Sequence, residues 1–223
     1  MFRKLLIGAV GALSMMGMAS AADLPVKGPV YKAVPAPVFN WSGFYVGVSG
    51  GWAKFDTKFT NPPVTTGDFS DSGWLIGGTI GWNWQAPGSS FVWGLEADLS
   101  YVDVTAMTTV NCGGTCIADV KALGTVRARA GLAADNWLFF VTGGLAGARI
   151  DYNVANAFFN SETLWGWTVG GGVEVAFARR WSAKLEYLFI DLENGTIPVG
   201  PGGVVSADPS RMHIVRAGLN YRW

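Results

Sequence analysis

Residues 213–223 alternate two kinds of side chain and stop on an aromatic. Val215, Ala217, Leu219, Tyr221 and Trp223 fall on one face, and Ile214, Arg216, Gly218, Asn220 and Arg222 fall on the other. Successive side chains of a strand point to opposite sides. An apolar row therefore meets one medium and a mostly polar row meets another. A soluble core and the hydrocarbon of an outer membrane both satisfy such a strand, so the rest of the chain has to decide between them.

Seven earlier segments share the design. The first, residues 44–54, sets Phe44, Val46, Val48 and Trp52 against Tyr45, Gly47, Ser49, Gly51 and Ala53. The second, 73–85, sets Trp74, Ile76, Ile80, Trp82 and Trp84 against Leu75, Thr79, Asn83 and several glycines. In the third, 91–101, Phe91, Trp93, Leu95, Leu99 and Tyr101 oppose Glu96, Asp98 and Ser100. The fourth, 120–132, has Lys121, Thr125, Arg127 and Arg129 on one face. Lipid exposure of two arginines costs about 2–4 kcal/mol each near the midplane, which turns that face inward. The fifth, 137–152, is blurred by Gly143-Gly144, and its faces stay unassigned. The sixth, 163–178, places Trp165, Trp167, Val169 and Val173 opposite Thr168 and Glu174. The seventh, 181–190, places Trp181, Leu185, Tyr187 and Phe189 opposite Ser182, Lys184 and Glu186. With the C-terminal strand the count is eight.

Connection lengths alternate. Short turns fall near 86–90, 133–136 and 179–180, and long loops near 55–72, 103–119, 153–162 and 191–210. Short periplasmic turns and longer external loops are the pattern of a bacterial outer membrane barrel. Trp82, Trp84, Trp93, Trp137, Trp181 and Trp223 lie beside the short turns or the terminus, while Trp52, Trp74, Tyr101, Tyr152, Trp165 and Tyr187 lie near the long loops. Amphipathic rings gather at membrane–water interfaces, so two girdles are expected. The fold expected is all-β: an antiparallel up-and-down barrel of eight strands over residues 41–223, closed because an open edge in lipid leaves backbone groups without partners.

Two segments precede it. Arg3 and Lys4, an apolar stretch over 5–18 and Ala19-Ser20-Ala21 have the form of a secretory signal peptide, with cleavage expected after Ala21 or, second, Ala22. Residues 22–40, with Pro25, Pro29, Pro35 and Pro37, read as a proline-rich periplasmic linker. Of 16 Lys and Arg, removal of Arg3 and Lys4 leaves 14 against 16 carboxylates, a formal charge of −2. No basic patch suggests nucleic acid. Cys112 and Cys116 are read as a disulfide closing an external loop, since exported chains meet an oxidising compartment.

The inward rows contribute Glu96, Asp98, Lys121, Arg127, Arg129, Glu174, Lys184, Glu186, Arg216 and Arg222. An eight-stranded interior is just wide enough for side chains to fill, and buried charges need partners. A salt-bridged lumen is expected, with a narrow ion path along the same charges as the alternative. Catalysis finds no support, because His213, the single histidine, sits on the apolar row near the outer rim without a triad. No metal or cofactor is implied. The expected partners are outer membrane lipid and lipopolysaccharide, with host or ligand contact possible through the external loops.

Asn40-Trp41-Ser42-Gly43-Phe44-Tyr45-Val46-Gly47, preceded by Ala22-Asp23-Leu24-Pro25, resembles the start of mature small outer membrane proteins of rhizobia, brucellae and their relatives. Val215-Arg216-Ala217-Gly218-Leu219-Asn220-Tyr221-Arg222-Trp223 resembles their closing strand. That family, the RopB or OmpA-like type, comprises surface proteins that support envelope integrity; some are described as porins and a few as haem-binding. The resemblance implies a role in envelope structure and surface display. It also implies that Leu219, Tyr221 and Trp223 form a signal for the barrel-assembly machinery.

Overall fold

The computed structural model describes residues 39–61, 64–65, 69–109, 115–154, 158–198 and 204–223. The expected signal peptide and the linker up to residue 38 lie outside the described residues. Eight long strands form the wall: β1 (Gly43–Asn61), β3 (Phe69–Gln85), β4 (Phe91–Thr108), β5 (Cys116–Ala134), β6 (Trp137–Val154), β7 (Phe158–Ala176), β8 (Trp181–Leu192) and β10 (Val204–Arg222). Two short strands, β2 (Val64–Thr65) and β9 (Gly195–Pro198), extend the edges of β1 and β10. Each wall strand pairs antiparallel with its sequence neighbour, and β1 pairs with β10, so the sheet closes into an eight-stranded barrel.

The faces follow the alternation. Phe44, Val48, Trp52, Leu95, Leu99, Val126, Leu145 and Trp165 are exposed, while Tyr45, Glu96, Arg127, Glu174 and Arg216 are buried. The strand left unassigned from sequence alternates without a break: Leu138, Phe140, Thr142, Ala146, Ala148 and Ile150 face inward, and Trp137, Phe139, Val141 and Leu145 face outward. The two girdles are present with one correction. Tyr152 does not join the outer girdle; it is 2 % exposed and points into the barrel.

The strands run well past the expected boundaries, and much of the stretches read as long loops is sheet. The wall strands except β8 have 17–19 residues, where about 9–11 tilted residues suffice to span a bilayer. At ~3.3 Å per residue and ~45° tilt, 18 residues rise ~40 Å against an apolar band of ~25 Å. The outer part of the wall therefore stands clear of the membrane.

Polarity inverts along this length. In β4 the inward row reads Glu96, Asp98, Ser100 and then Val102, Val104, Ala106, while the outward row passes from Leu95 and Leu99 to Asp103 and Thr105. β8 changes likewise from Lys184 and Glu186 to Leu188, Ile190 and Leu192. Above the outer girdle the interior is an apolar core that includes Phe55, Leu75, Val104, Val120, Ile150, Leu188, Ile190 and Met212. Within lipid the greasy face must look out; in water it must look in. One continuous sheet obeys both rules at different heights.

A β-bulge marks the change on β5. The pairing register shifts between Val120 and Ala122, so Val120 turns inward while Lys121 joins Asp119 on the outside. Lys121 is thus not a lumenal charge. Its ammonium pairs with Asp119, which also accepts a hydrogen bond from Thr105 Oγ1 at 3.1 Å.

Candidate functional site

The other nine charged residues expected in the lumen are buried there together. Six form an upper tier. Arg127 pairs with Glu96, donates from Nη2 to Asp98 Oδ2 at 2.8 Å, and donates from Nη1 to Glu186 Oε1 at 2.6 Å. Arg216 forks onto Asp98, Nη1 to Oδ1 at 3.0 Å and Nη2 to Oδ2 at 3.1 Å, and its Nε reaches Glu186 Oε2 at 2.8 Å. Lys184 Nζ lies 2.9 Å from both oxygens of Glu96. Three cations and three carboxylates come from β4, β5, β8 and β10, so the tier ties opposite walls together. Planar guanidinium forks suit this shared, bidentate geometry.

Room for these side chains comes from glycines on the adjoining strands. Glu96 faces Gly81, Arg127 faces Gly144, Glu186 faces Gly172, Lys184 faces Gly218 and Arg216 faces Gly51 across the ladder. The approach is close enough to require the missing Cβ. A Cβ at Gly144 would stand 2.1 Å from the Val126 carbonyl oxygen and 2.7 Å from Arg127 Cα. At Gly51 it would stand 2.6 Å from Arg216 Cα. The outward Gly143 has nothing nearer than 3.7 Å.

Below lies a smaller tier of Arg129, Glu174 and Arg222. Arg129 pairs with Glu174, whose Oε1 accepts from Ser182 Oγ at 2.5 Å and Asn220 Nδ2 at 3.0 Å. Tyr45 joins the tiers: its hydroxyl donates to Glu96 Oε2 at 2.7 Å and accepts from Arg129 Nη1 at 3.3 Å. Thr125 Oγ1 donates to Asp98 Oδ2 at 2.6 Å, and Thr142 Oγ1 accepts from Arg127. Sequence reading put Tyr45, Thr125, Ser182 and Asn220 on the inward row without giving them a role, and Thr142 lay on the unassigned strand. The signal available was the row itself: a polar residue sharing a row with buried charges is a candidate partner.

The periplasmic end is closed by Trp41, which is fully buried with Val92, Leu138 and Ala176 and packs against Phe39 and Ala133. Its amide donates to Gln85 Oε1 at 2.9 Å, and its carbonyl accepts from Arg222 Nη1 at 2.8 Å. Phe39, within the segment 22–40 expected to be a linker, packs against this cluster. Charged belt, aromatic plug below and apolar core above follow one another along the interior.

The remaining sequence-derived sites sit on the surface or beyond description. His213 lies on the outer row, its Nδ1 2.7 Å from Tyr187 Oη. Leu219 and Trp223 are exposed on the lipid-facing side of β10, and Tyr221 packs between Trp181 and Trp223 on the same row. Cys116 opens β5 as a buried residue; Cys112 lies outside the described residues. Among the described residues no group of three or more His, Cys, Asp or Glu side chains could hold a metal.

Comparison with known proteins agrees with this geometry. The family model described as the outer membrane protein beta-barrel domain matches residues 9–222. The chain is 33% identical to the 31 kDa outer-membrane immunogenic protein of Brucella melitensis biotype 1, over 92% of this chain and 93% of that protein. It is 30% identical to the 22 kDa outer membrane protein of Rhizobium leguminosarum bv. viciae, over 78% of this chain and 71% of that one. Among solved structures, the outer membrane protein OprG from Pseudomonas aeruginosa superposes with a TM-score of 0.55 at 13% identity, covering 83% of this chain and 99% of that one. Neisserial surface protein A does so with a TM-score of 0.50 at 14% identity, covering 82% and 98%. At these identities the two structures share the fold.

Proposed function

The chain belongs to the outer membrane protein beta-barrel domain family and resides in the outer membrane, and from that premise we propose that it is a non-conducting, non-enzymatic structural barrel that supports the envelope and displays its loops at the cell surface. The observation that carries this reading is the filled interior. Arg127, a residue of β5, makes ion pairs with β4 and β8, so that its guanidinium bridges the two walls across the lumen. Above it, Phe55, Val104, Ile150 and Ile190 form an apolar core, with Glu162 of β7 half-buried on the same inward row opposite Ile150. An ion would have to break the belt and then cross that core, where an unpaired charge is costly.

Surface display is supported by the height of the wall, whose strands are longer than a bilayer needs. The Brucella relatives are named immunogenic proteins, a name that fits loops held in view of an immune system. The outward row of Leu219, Tyr221 and Trp223 is the face that the barrel-assembly machinery would read, and outer membrane lipid and lipopolysaccharide would surround the girdled belt.

Planar-bilayer recording of the refolded protein tests the reading. Silence, or only rare and irregular openings, is expected. A stable, reproducible unitary conductance would replace the structural reading with that of a narrow porin.

A further inference from the structure

The two tiers differ in charge balance. The upper one sets Arg127, Lys184 and Arg216 against Glu96, Asp98 and Glu186; the lower holds Arg129 and Arg222 with Glu174 as its own carboxylate, Arg129 also standing 4.0 Å from Glu96 above. The surplus centres on Arg222. Its Nη1 is taken by the Trp41 carbonyl, its Nη2 stands 3.7 Å from Glu174, and its Nε and Nη2 make no hydrogen bond among the described residues. Other buried polar atoms are likewise without a hydrogen-bond partner among the described residues: higher up the wall the hydroxyls of Ser49, Thr79 and Ser100, and at this end Arg129 Nε, Trp41 Nε1 and both amide atoms of Asn83.

The donors of Arg222, Arg129, Trp41 and Asn83 share one region at the periplasmic end. The Arg222 guanidinium carbon is 4.9 Å from the Trp41 ring centre and 5.5 Å from that of Tyr45, whose hydroxyl holds Arg129. The Trp41 amide is anchored by Gln85, two residues from Asn83 on the same inward row. Asn83 faces Gly94, which is also the cross-strand partner of Arg129. All four donor residues are at most 6 % exposed.

A buried guanidinium set against the Phe39, Trp41 and Tyr45 rings, with one carboxylate at 3.7 Å and further N–H groups without acceptors at the same end of the barrel, is a demanding arrangement to leave uncompensated. We propose that Trp41, Asn83, Arg129 and Arg222 form a site for one small monovalent anion of chloride type, captured as the Phe39–Trp41 segment closes the periplasmic mouth. A single negative charge makes the lower tier neutral, matching the tier above. A multiply charged oxyanion would overshoot that balance and add bulk beneath a packed aromatic plug.

The test uses the refolded, full-length exported barrel. Crystals grown in bromide should show an anomalous peak among Arg222, Trp41 Nε1 and Asn83 Nδ2. The denaturant midpoint should rise saturably with sodium chloride when sodium gluconate holds ionic strength constant. Trp41→Phe keeps an aromatic plug but removes the indole N–H, and should raise the half-saturating chloride about tenfold. Asn83→Leu, should it fold, is expected to do the same. No bromide peak, density filled by water alone, or a chloride response unchanged in Trp41→Phe would each overturn the assignment.

Discussion

Arg127→Met tests most directly whether the lumenal charges act as one unit. The wild-type guanidinium contacts three carboxylates and two hydroxyls from four other elements or positions of the wall: Glu96 and Asp98 on β4, Glu186 on β8, Thr142 on β6 and its own neighbour Thr125. Methionine fills similar space without charge, so the upper tier falls from three cations against three carboxylates to two against three. Removing one member of a buried ion pair costs about 3–5 kcal/mol, because the partner is left charged and unpaired. Three carboxylates share the loss here, which places the expectation at the upper end. Urea unfolding of the refolded barrel in detergent micelles, followed by tryptophan fluorescence and by heat-modifiable migration on gels, reads the change. The companion Arg127→Met with Glu186→Gln restores neutrality and should be more stable than the single variant by ~1–3 kcal/mol. If Arg127→Met costs less than ~1 kcal/mol, or the double variant is worse by the sum of two independent losses, the belt is not mutually compensating and the reasoning fails.

Gly144→Val should prevent formation of the heat-modifiable barrel, since its side chain would drive into the β5 backbone at Val126 and Arg127, while Gly143→Val on the lipid-facing side should fold; refolding yield on unboiled gels compares them. Lys121→Gln should change stability by less than ~0.5 kcal/mol, whereas Lys184→Gln, which leaves Glu96 short of a cation, should cost several-fold more in the same urea titration. Cys112 and Cys116 should be found joined by non-reducing mass spectrometry of exported protein; two alkylatable thiols would refute the pairing.

The membrane-spanning half of the molecule was legible because lipid imposes a simple code. On β4, Leu95, Leu99 and Tyr101 against Glu96, Asp98 and Ser100 admits only one orientation, and the arginines of β5 fix theirs by the cost of the alternative. The outer half was not legible under that code, because there the same alternation carries the opposite meaning. Val102, Val104 and Ala106 interleave with Asp103 and Thr105 as cleanly as any lipid-facing run. Read for membrane strands alone, they look like a loop; read as a soluble strand, they continue the sheet. Lys121 was misplaced for a related reason. A single extra residue at a bulge reverses every face beyond it, and nothing in Val120-Lys121-Ala122 announces one. Four of the glycines opposite the charges, Gly51, Gly81, Gly172 and Gly218, could have been found, since each lies on an assigned inward row where a chain of this design would otherwise place bulk; Gly144 lies on the strand whose faces stayed unassigned.

The inversion of polarity partway up the wall has a consequence for how the surface of this protein can change over generations. The outer stretches of the described strands enclose an apolar interior of their own, tied through continuous backbone to the cylinder below. A change of outward side chain on those stretches leaves the ion pairs of the charged belt untouched. The outward face of the outer wall can therefore vary while the belt below keeps its packing.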